Sequence, residues 1–254
     1  MVVVGTLLST KDAPCAVING EKDAYESIYG YQIVNLILES KPEELYSRLS
    51  MQAGEAAEAS PPSSLPTIQL DDELARGLGL IVANRFGNLL VLDDKGALVG
   101  LLSLEGVIGF LAARTKPIGI SLKKISSKLK LMGEGESMSG VFRFMMRNRV
   151  RRAIMTSGGG FYCCTEREIM KALFSPSGLK SLKDDPNAIL EMPIEHLVSP
   201  FLSVVPNLSG GLDTTEGWVQ ASWNTNCTAI VDGERIVSPW DFVVKPFLAG
   251  KLPF

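Results

Sequence analysis

An α/β fold built from four small repeated units is what this sequence predicts, on three observations. Hydrophobic residues make up 46% of the 254 and charged residues 21%, the balance of a chain that buries a core. Stretches with helical periodicity alternate with short apolar runs bounded by turn residues. One order of elements then recurs at intervals of about 65 to 75 residues: helix, strand, turn, strand, helix opening.

The segment APCAVINGEKDAYESIYGYQIVNLILES (13 to 40) reads as the second half of such a unit, without room for a helix before its first strand. MQAGEAAEASPPSSLP (51 to 66) follows as a small-residue, Pro/Ser-rich linker. The second unit, 72 to 111, shows the pattern throughout: an amphipathic helix, a strand over Leu89 to Leu92, a turn at Asp94-Lys95-Gly96, a strand over Ala97 to Leu102 and a helix from Ser103. The third, 137 to 174, has the same order with an Arg-rich junction, and GGG at 158 to 160 reads as its hairpin turn. SPSGLKSLKDDPNAILEMP (175 to 193) reads as another broken stretch, and 216 to 247 forms the fourth unit around a tighter turn at Asp232-Gly233. The expected division is 1–113 as one pair of units and 114–254 as the other, with units at about 117–175 and 190–250.

Composition narrows the function. A net charge of −3 gives no global positive field for sequence-independent nucleic-acid binding. The longest apolar runs, such as GVIGFLAA at 106 to 113, fall short of the roughly 20 residues of a membrane span. The opening MVVVGTLLS lacks the basic flank of a secretory signal, so a soluble cytoplasmic protein is expected. Cys15, Cys163, Cys164 and Cys227 have no C-x-x-C spacing and His196 is the single histidine, which leaves little material for a zinc site. The thiols are expected to pack as small hydrophobes. No nucleophile–base pair, phosphate-cradling loop or metal cluster stands out, so no enzymatic activity, metal or cofactor is expected.

The order helix, strand, turn, strand, then S/T-x-x-D at a helix start resembles the CBS motif, named for cystathionine beta-synthase. MMRNRVRRAIMTSGGGFYCCTEREIMKAL carries the likeness best, with IVDGERIVSPWDFVVKPF and the lead-in PIEHLVSPFLSVVPNLS. The resemblance implies tandem CBS-domain pairs, each unit a small sheet packed with two helices, in two pseudo-symmetric modules. Their clefts commonly take adenine nucleotides or S-adenosylmethionine, and a four-unit chain is similar to the nucleotide-sensing gamma subunits of AMP-activated protein kinase.

By that resemblance the Ser/Thr and the acid hold ribose hydroxyls, while basic residues before the first strand meet phosphate. The chemistry is sound in itself, since a carboxylate accepts from hydroxyls and Arg offers charge-assisted donors to phosphate. The fourth unit supplies Ser238 and Asp241, flanking Pro239 and Trp240. The third supplies Thr165 and Glu168, a carboxylate on a longer arm. The second has Ser103 with Gly106, and the first Tyr29 with Gln32, so neither keeps the clamp. At the phosphate positions stand Arg151 and Arg152 in the third unit, Gly87 and Asn88 in the second, Asn226 and Cys227 in the fourth, and Ala13 and Pro14 in the first. A plainer reading of the same residues stays open: Thr165-x-x-Glu168 is a capping box, and Ser238-Pro239 a well-formed helix start. VFRFMMRNRVRR (141 to 152) holds five arginines and no acid, which fits a phosphate contact, a salt-bridged solvated face or nucleic acid. Neighbouring strand residues face opposite ways, so Arg151 and Arg152 should not both enter one cleft. Trp240 fits packing at a helix start or shielding of a base.

The resulting expectation is a noncatalytic regulator. It would bind AMP, ADP or ATP through Ser238, Asp241 and Arg151 or Arg152, with Thr165 and Glu168 at a second cleft. A regulated protein partner and self-association as a homodimer are compatible with it. The alternatives are an interaction module with degenerate clefts, S-adenosylmethionine binding, or nucleic-acid binding through the arginines.

Overall fold

The computed structural model describes residues 5, 15–19, 25–52, 66–85, 87–113, 116–148, 150–198, 203–223 and 226–252. The first repeat is a hairpin of β1 (Cys15–Asn19) and β2 (Tyr25–Tyr29), with Cys15 opposite Tyr29, running into α1 (Gly30–Glu39) and α2 (Pro42–Leu49). Ile33, Val34 and Ile37 recur at helical spacing along α1 and are buried.

The second repeat is complete. Strand β3 (Thr67–Gln69) leads through α3 (Leu74–Asn84) to β4 (Asn88–Leu92), which pairs parallel to β3. β4 turns back into β5 (Leu98–Ser103) and then α4 (Leu104–Ala112). The hairpin closes where Asp93 Oδ1 accepts from the amides of Lys95 (3.0 Å) and Ala97 (2.8 Å), with Gly96 at φ 79°. A short helix α5 (Leu122–Ile125) and strand β6 (Ser127–Lys128) follow.

In the third repeat β7 (Leu131–Met132), α6 (Met138–Asn148), β8 (Arg152–Ser157), β9 (Gly160–Thr165) and α7 (Glu166–Leu173) repeat that order. Its hairpin is the predicted glycine turn, with Gly158 and Gly159 at φ 56° and 80°. The fourth follows with β10 (Ser203–Val205), β11 (Asn207–Leu208), α11 (Thr214–Ala221), β12 (Ala229–Val231), β13 (Arg235–Val237) and α12 (Pro239–Leu248). β11 pairs parallel to β12, β13 antiparallel to β12, and β6 lies along the free edge of β13.

Two expectations differ from what is found. The stretch 175–193 is not broken: its helices are α8 (Pro176–Asp184) and α9 (Pro186–Glu191), with α10 (Ile194–Val198) after them. Ser175 Oγ accepts from Gly178 N (3.0 Å) and Asp185 Oδ1 from Ala188 N (3.1 Å), each just before a proline at the first helical position. The Ser, Pro and Asp that suggested a loop are helix starts. The expected linker at 51–66 lies outside the described residues except at Met51, Gln52 and Pro66.

The division into halves also differs. One compact unit comprises Met1–Ser64 with Leu131–Leu202, the other Leu65–Lys130 with Ser203–Phe254, so each takes one repeat from either half of the chain. The cores are the physical reason. Ile33, Val34 and Ile37 share one apolar cluster with Val141, Phe142, Ile169 and Met170. Leu78, Ile81, Val107 and Ile108 share the other with Trp218, Val231, Phe242 and Val243. The indole N–H of Trp218 donates to Phe242 O (3.1 Å), which satisfies its polar atom inside that core. Cys15, Cys163, Cys164 and Cys227 are all buried and unbridged, as thiols packed like small hydrophobes. Burial pushes the Cys163 thiol up to about 12.

Candidate functional site

All four predicted residue pairs sit at one structural position, the N-cap and third residue of the helix after each hairpin. Tyr29 N donates to Gln32 Oε1 (2.7 Å), and Gly106 N to Ser103 Oγ (3.0 Å). Thr165 donates from N (2.7 Å) and from Oγ1 (2.5 Å) to Glu168 Oε2, while its Oγ1 accepts from Arg167 N (3.1 Å). Ser238 donates from N (3.0 Å) and Oγ (2.8 Å) to Asp241 Oδ2. The capping reading of these residues therefore holds, because each side chain satisfies a group the helix leaves open.

Glu168 and Asp241 are both buried, and each commits one carboxylate oxygen to its cap. Their second oxygens differ. Glu168 Oε1 has no hydrogen-bond partner among the described residues. Asp241 Oδ1 accepts from Ser127 Oγ (2.9 Å) and from Lys245 Nζ (2.7 Å). Lys245 Nζ also donates to Ile125 O and to Ser127 Oγ (3.1 Å). Beside them Arg235 donates from Nε to Ser126 Oγ (2.6 Å) and from Nη2 to Ser126 O (2.7 Å). Two cations and a carboxylate thus hold residues 125–127 against β13 and the opening of α12.

The first compact unit contains a cavity of about 280 Å³. Phe142, Met145 and Met146 of α6 and Val150 give it an apolar wall, and Tyr31 and Asn35 of α1 face them. Arg151 and Glu166 complete the lining. The Arg151 guanidinium lies 5.8 Å from the Tyr29 ring centroid and 5.5 Å from that of Tyr31, over two rings stacked 5.6 Å apart. Burial raises the Tyr31 hydroxyl above its ordinary range, the nearby Arg151 charge opposes this and Glu166 adds to it. Among the described residues neither Arg151 nor Glu166 forms an ion pair, although both line one cavity.

Of the predicted site residues, Arg151, Arg152, Thr165 and Glu168 belong to the first compact unit, and Ser238, Pro239, Trp240 and Asp241 to the second. Arg151 reaches the cavity, whereas Arg152 opens β8 opposite Thr165. Trp240 packs against the second core. Arg149 lies outside the described residues. Tyr31, Asn35, Glu166 and the wall of α6 were not anticipated. Their signal in the sequence is slight: Gly30, between two tyrosines, places its Cα so that an added Cβ would stand 3.3 Å from Glu166 Cγ, the closeness that joins α1 to the start of α7.

No protein-family model and no curated protein matches the sequence. Solved structures do match. A Methanocaldococcus jannaschii protein, reported as a candidate archaeal homolog of γ-AMPK, superposes with a TM-score of 0.71 at 16% identity, over 95% of this chain and 91% of that one. An uncharacterized conserved protein from Pyrococcus horikoshii superposes with a TM-score of 0.55 at 13% identity, over 92% and 91%. The likeness is one of fold, and it covers nearly the whole of both chains. The chain has the α/β fold of four CBS-like units. No helix among the described residues is long and apolar enough to cross a membrane.

Proposed function

We propose that this protein is a noncatalytic regulator that binds an adenine nucleotide, with the cavity of the first compact unit as its principal site. The observation that carries the reading is the pair Arg151 and Glu166, opposite charges on one largely apolar wall, neither of them ion-paired among the described residues. Arg151 supplies in-plane N–H donors for phosphate oxygens, and its stacking on Tyr29 and Tyr31 leaves those donors clear. Glu166 accepts from ribose hydroxyls. Tyr31, Phe142 and the methionines offer faces to a base. A volume of about 280 Å³ lies at the small end of ligand sites and suits a nucleoside monophosphate better than a longer phosphate chain.

Fold alone does not assign a function. The likeness to a structure reported as a candidate γ-AMPK homolog makes a regulatory role the natural context for such a site. Binding would favour the conformations that close on the ligand, and a protein partner would read that shift. Calorimetry with AMP, ATP and S-adenosylmethionine on wild type, Arg151→Ala and Glu166→Gln tests the assignment. A loss of on the order of ten- to a hundredfold in AMP affinity is expected for Arg151→Ala, the worth of a charge-assisted hydrogen bond. Equal affinity in wild type and Arg151→Ala would reject it. The second reading, an interaction module without ligand, is favoured by the closed state of Asp241. It predicts no rise in melting temperature with any nucleotide.

A further inference from the structure

The nucleotide reading gives no work to Asn35, although its carboxamide lines the cavity. That amide is part-buried and has no hydrogen-bond partner among the described residues. Asparagines in two other helices fold back on their own turn: Asn84 Nδ2 donates to Leu80 O (2.9 Å) in α3, and Asn148 Nδ2 to Phe144 O (2.8 Å) in α6. Asn35 makes no such bond to Tyr31 O, so both its donor and its acceptor stay open to the cavity.

Its place along α1 indicates what they meet. Tyr31 and Asn35 stand four residues apart on one face of the helix, about 6 Å apart along its axis. The charged lining gathers at the Tyr31 end. The Arg151 guanidinium lies 5.5 Å from the Tyr31 ring centroid, and a Cβ on Gly30 would stand 3.3 Å from Glu166 Cγ. A ligand with its phosphate on Arg151 and its sugar on Glu166 therefore runs one helical turn along the cavity, past Phe142 and Met145, before the edge of its base meets Asn35. We propose that Asn35 reads the base: Oδ1 accepts from the 6-amino group of a purine and Nδ2 donates to N7, so the cavity selects 6-aminopurine over 6-oxopurine nucleotides. The proposal rests on the cavity's being a nucleotide site and names the residue that sets its specificity. N7 accepts in every purine, so the amide must turn its N–H donors there, and its oxygen then requires a donor at position 6. An amine supplies one. A 6-oxo group instead sets two acceptors face to face, and turning the amide over only moves the conflict to N7.

The test is calorimetry with AMP, with its 6-oxo analogue inosine monophosphate, and with 7-deaza-AMP, which keeps the amine and lacks the N7 acceptor. Wild type is expected to bind AMP about ten- to a hundredfold tighter than either analogue, the worth of a two-point contact. Asn35→Leu should bind all three alike, whereas Arg151→Ala should weaken all three by one factor and keep their order. Melting curves establish that each variant is folded, and if Asn35→Leu is not, Asn35→Ala carries the same comparison. Equal binding of AMP and either analogue by wild type, or a preference that survives the loss of the Asn35 amide, overturns the base-reading role and leaves the cavity assignment standing. A preference lost in Asn35→Leu, with affinities unchanged in Arg151→Ala, upholds Asn35 and overturns the phosphate role of Arg151. No binding of any of the three to wild type overturns both.

Discussion

Asp213 shows how a single carboxylate can fasten a segment. Its Oδ1 accepts from the amides of Thr215 (2.9 Å) and Ile118 (3.2 Å), and its Oδ2 from Gly119 N (2.9 Å), so it caps α11 and at once anchors the chain entering α5. Partial burial alone would raise its pKa. The hydrogen bonds from Thr215, Ile118 and Gly119 outweigh that and hold it below the usual 3.8. A carboxyl with a depressed folded-state pKa stabilises fully above its unfolded value, and the contribution fades as pH falls through the folded one. Asp213→Asn should therefore lower the melting temperature at pH 7, and the gap to wild type should narrow progressively below about pH 4. A gap that stays constant from pH 7 to pH 3 would show that ionised Asp213 does not hold the segment.

At the scale of elements, the repeated hairpin and helix opening is the part the sequence made most legible. Its signals are local: a turn residue between two short apolar runs, then a capping residue three before its partner. Asp232-Gly233, Gly158-Gly159 and the four helix openings all fall where they were expected. Segment 175–193 was misread for the same local reason, since Ser175-Pro176 and Asp185-Pro186 are turn chemistry and helix-start chemistry alike, and only the apolar Leu182 and Ile189 packed in the core distinguish them. The opening of α7 allows a quantitative check. Thr165→Val removes the Oγ1 that accepts from Arg167 N and donates to Glu168, leaving a buried carboxylate short of one donor. About 1 to 2 kcal/mol of stability should go, seen as a lower denaturant midpoint, and Thr165→Ser should recover most of it. An equal midpoint for Thr165→Val and wild type would mean that the cap contributes nothing to the fold.

For the molecule as a whole, the pairing of repeats was not legible, and the reason is separation along the chain. The cavity brings Tyr31 and Asn35 together with Phe142 to Glu166, and the second core brings Val107 to Phe242, contacts that no local pattern encodes. Chain order suggested that 114–254 could stand as a pair on its own. The cores argue otherwise. Cutting at residue 113 would strip Ile33, Val34 and Ile37 from the first core and Leu78, Ile81, Val107 and Ile108 from the second, all of them buried. Each such side chain contributes about 1.5 to 3 kcal/mol by leaving water, so together they are worth as much as the whole stability of a typical domain, about 5 to 15 kcal/mol. A chain of 114–254 alone should thus melt without a cooperative transition and bind a hydrophobic dye, since the faces of α6, α7, α11 and α12 turned to the missing repeats would be bare. Adding residues 1–113 as a separate chain should restore cooperativity if the apolar faces alone direct the pairing. A sharp transition for 114–254 by itself, near that of the full chain, would show that each half carries its own core and that the interleaving of repeats is not what stabilises the fold.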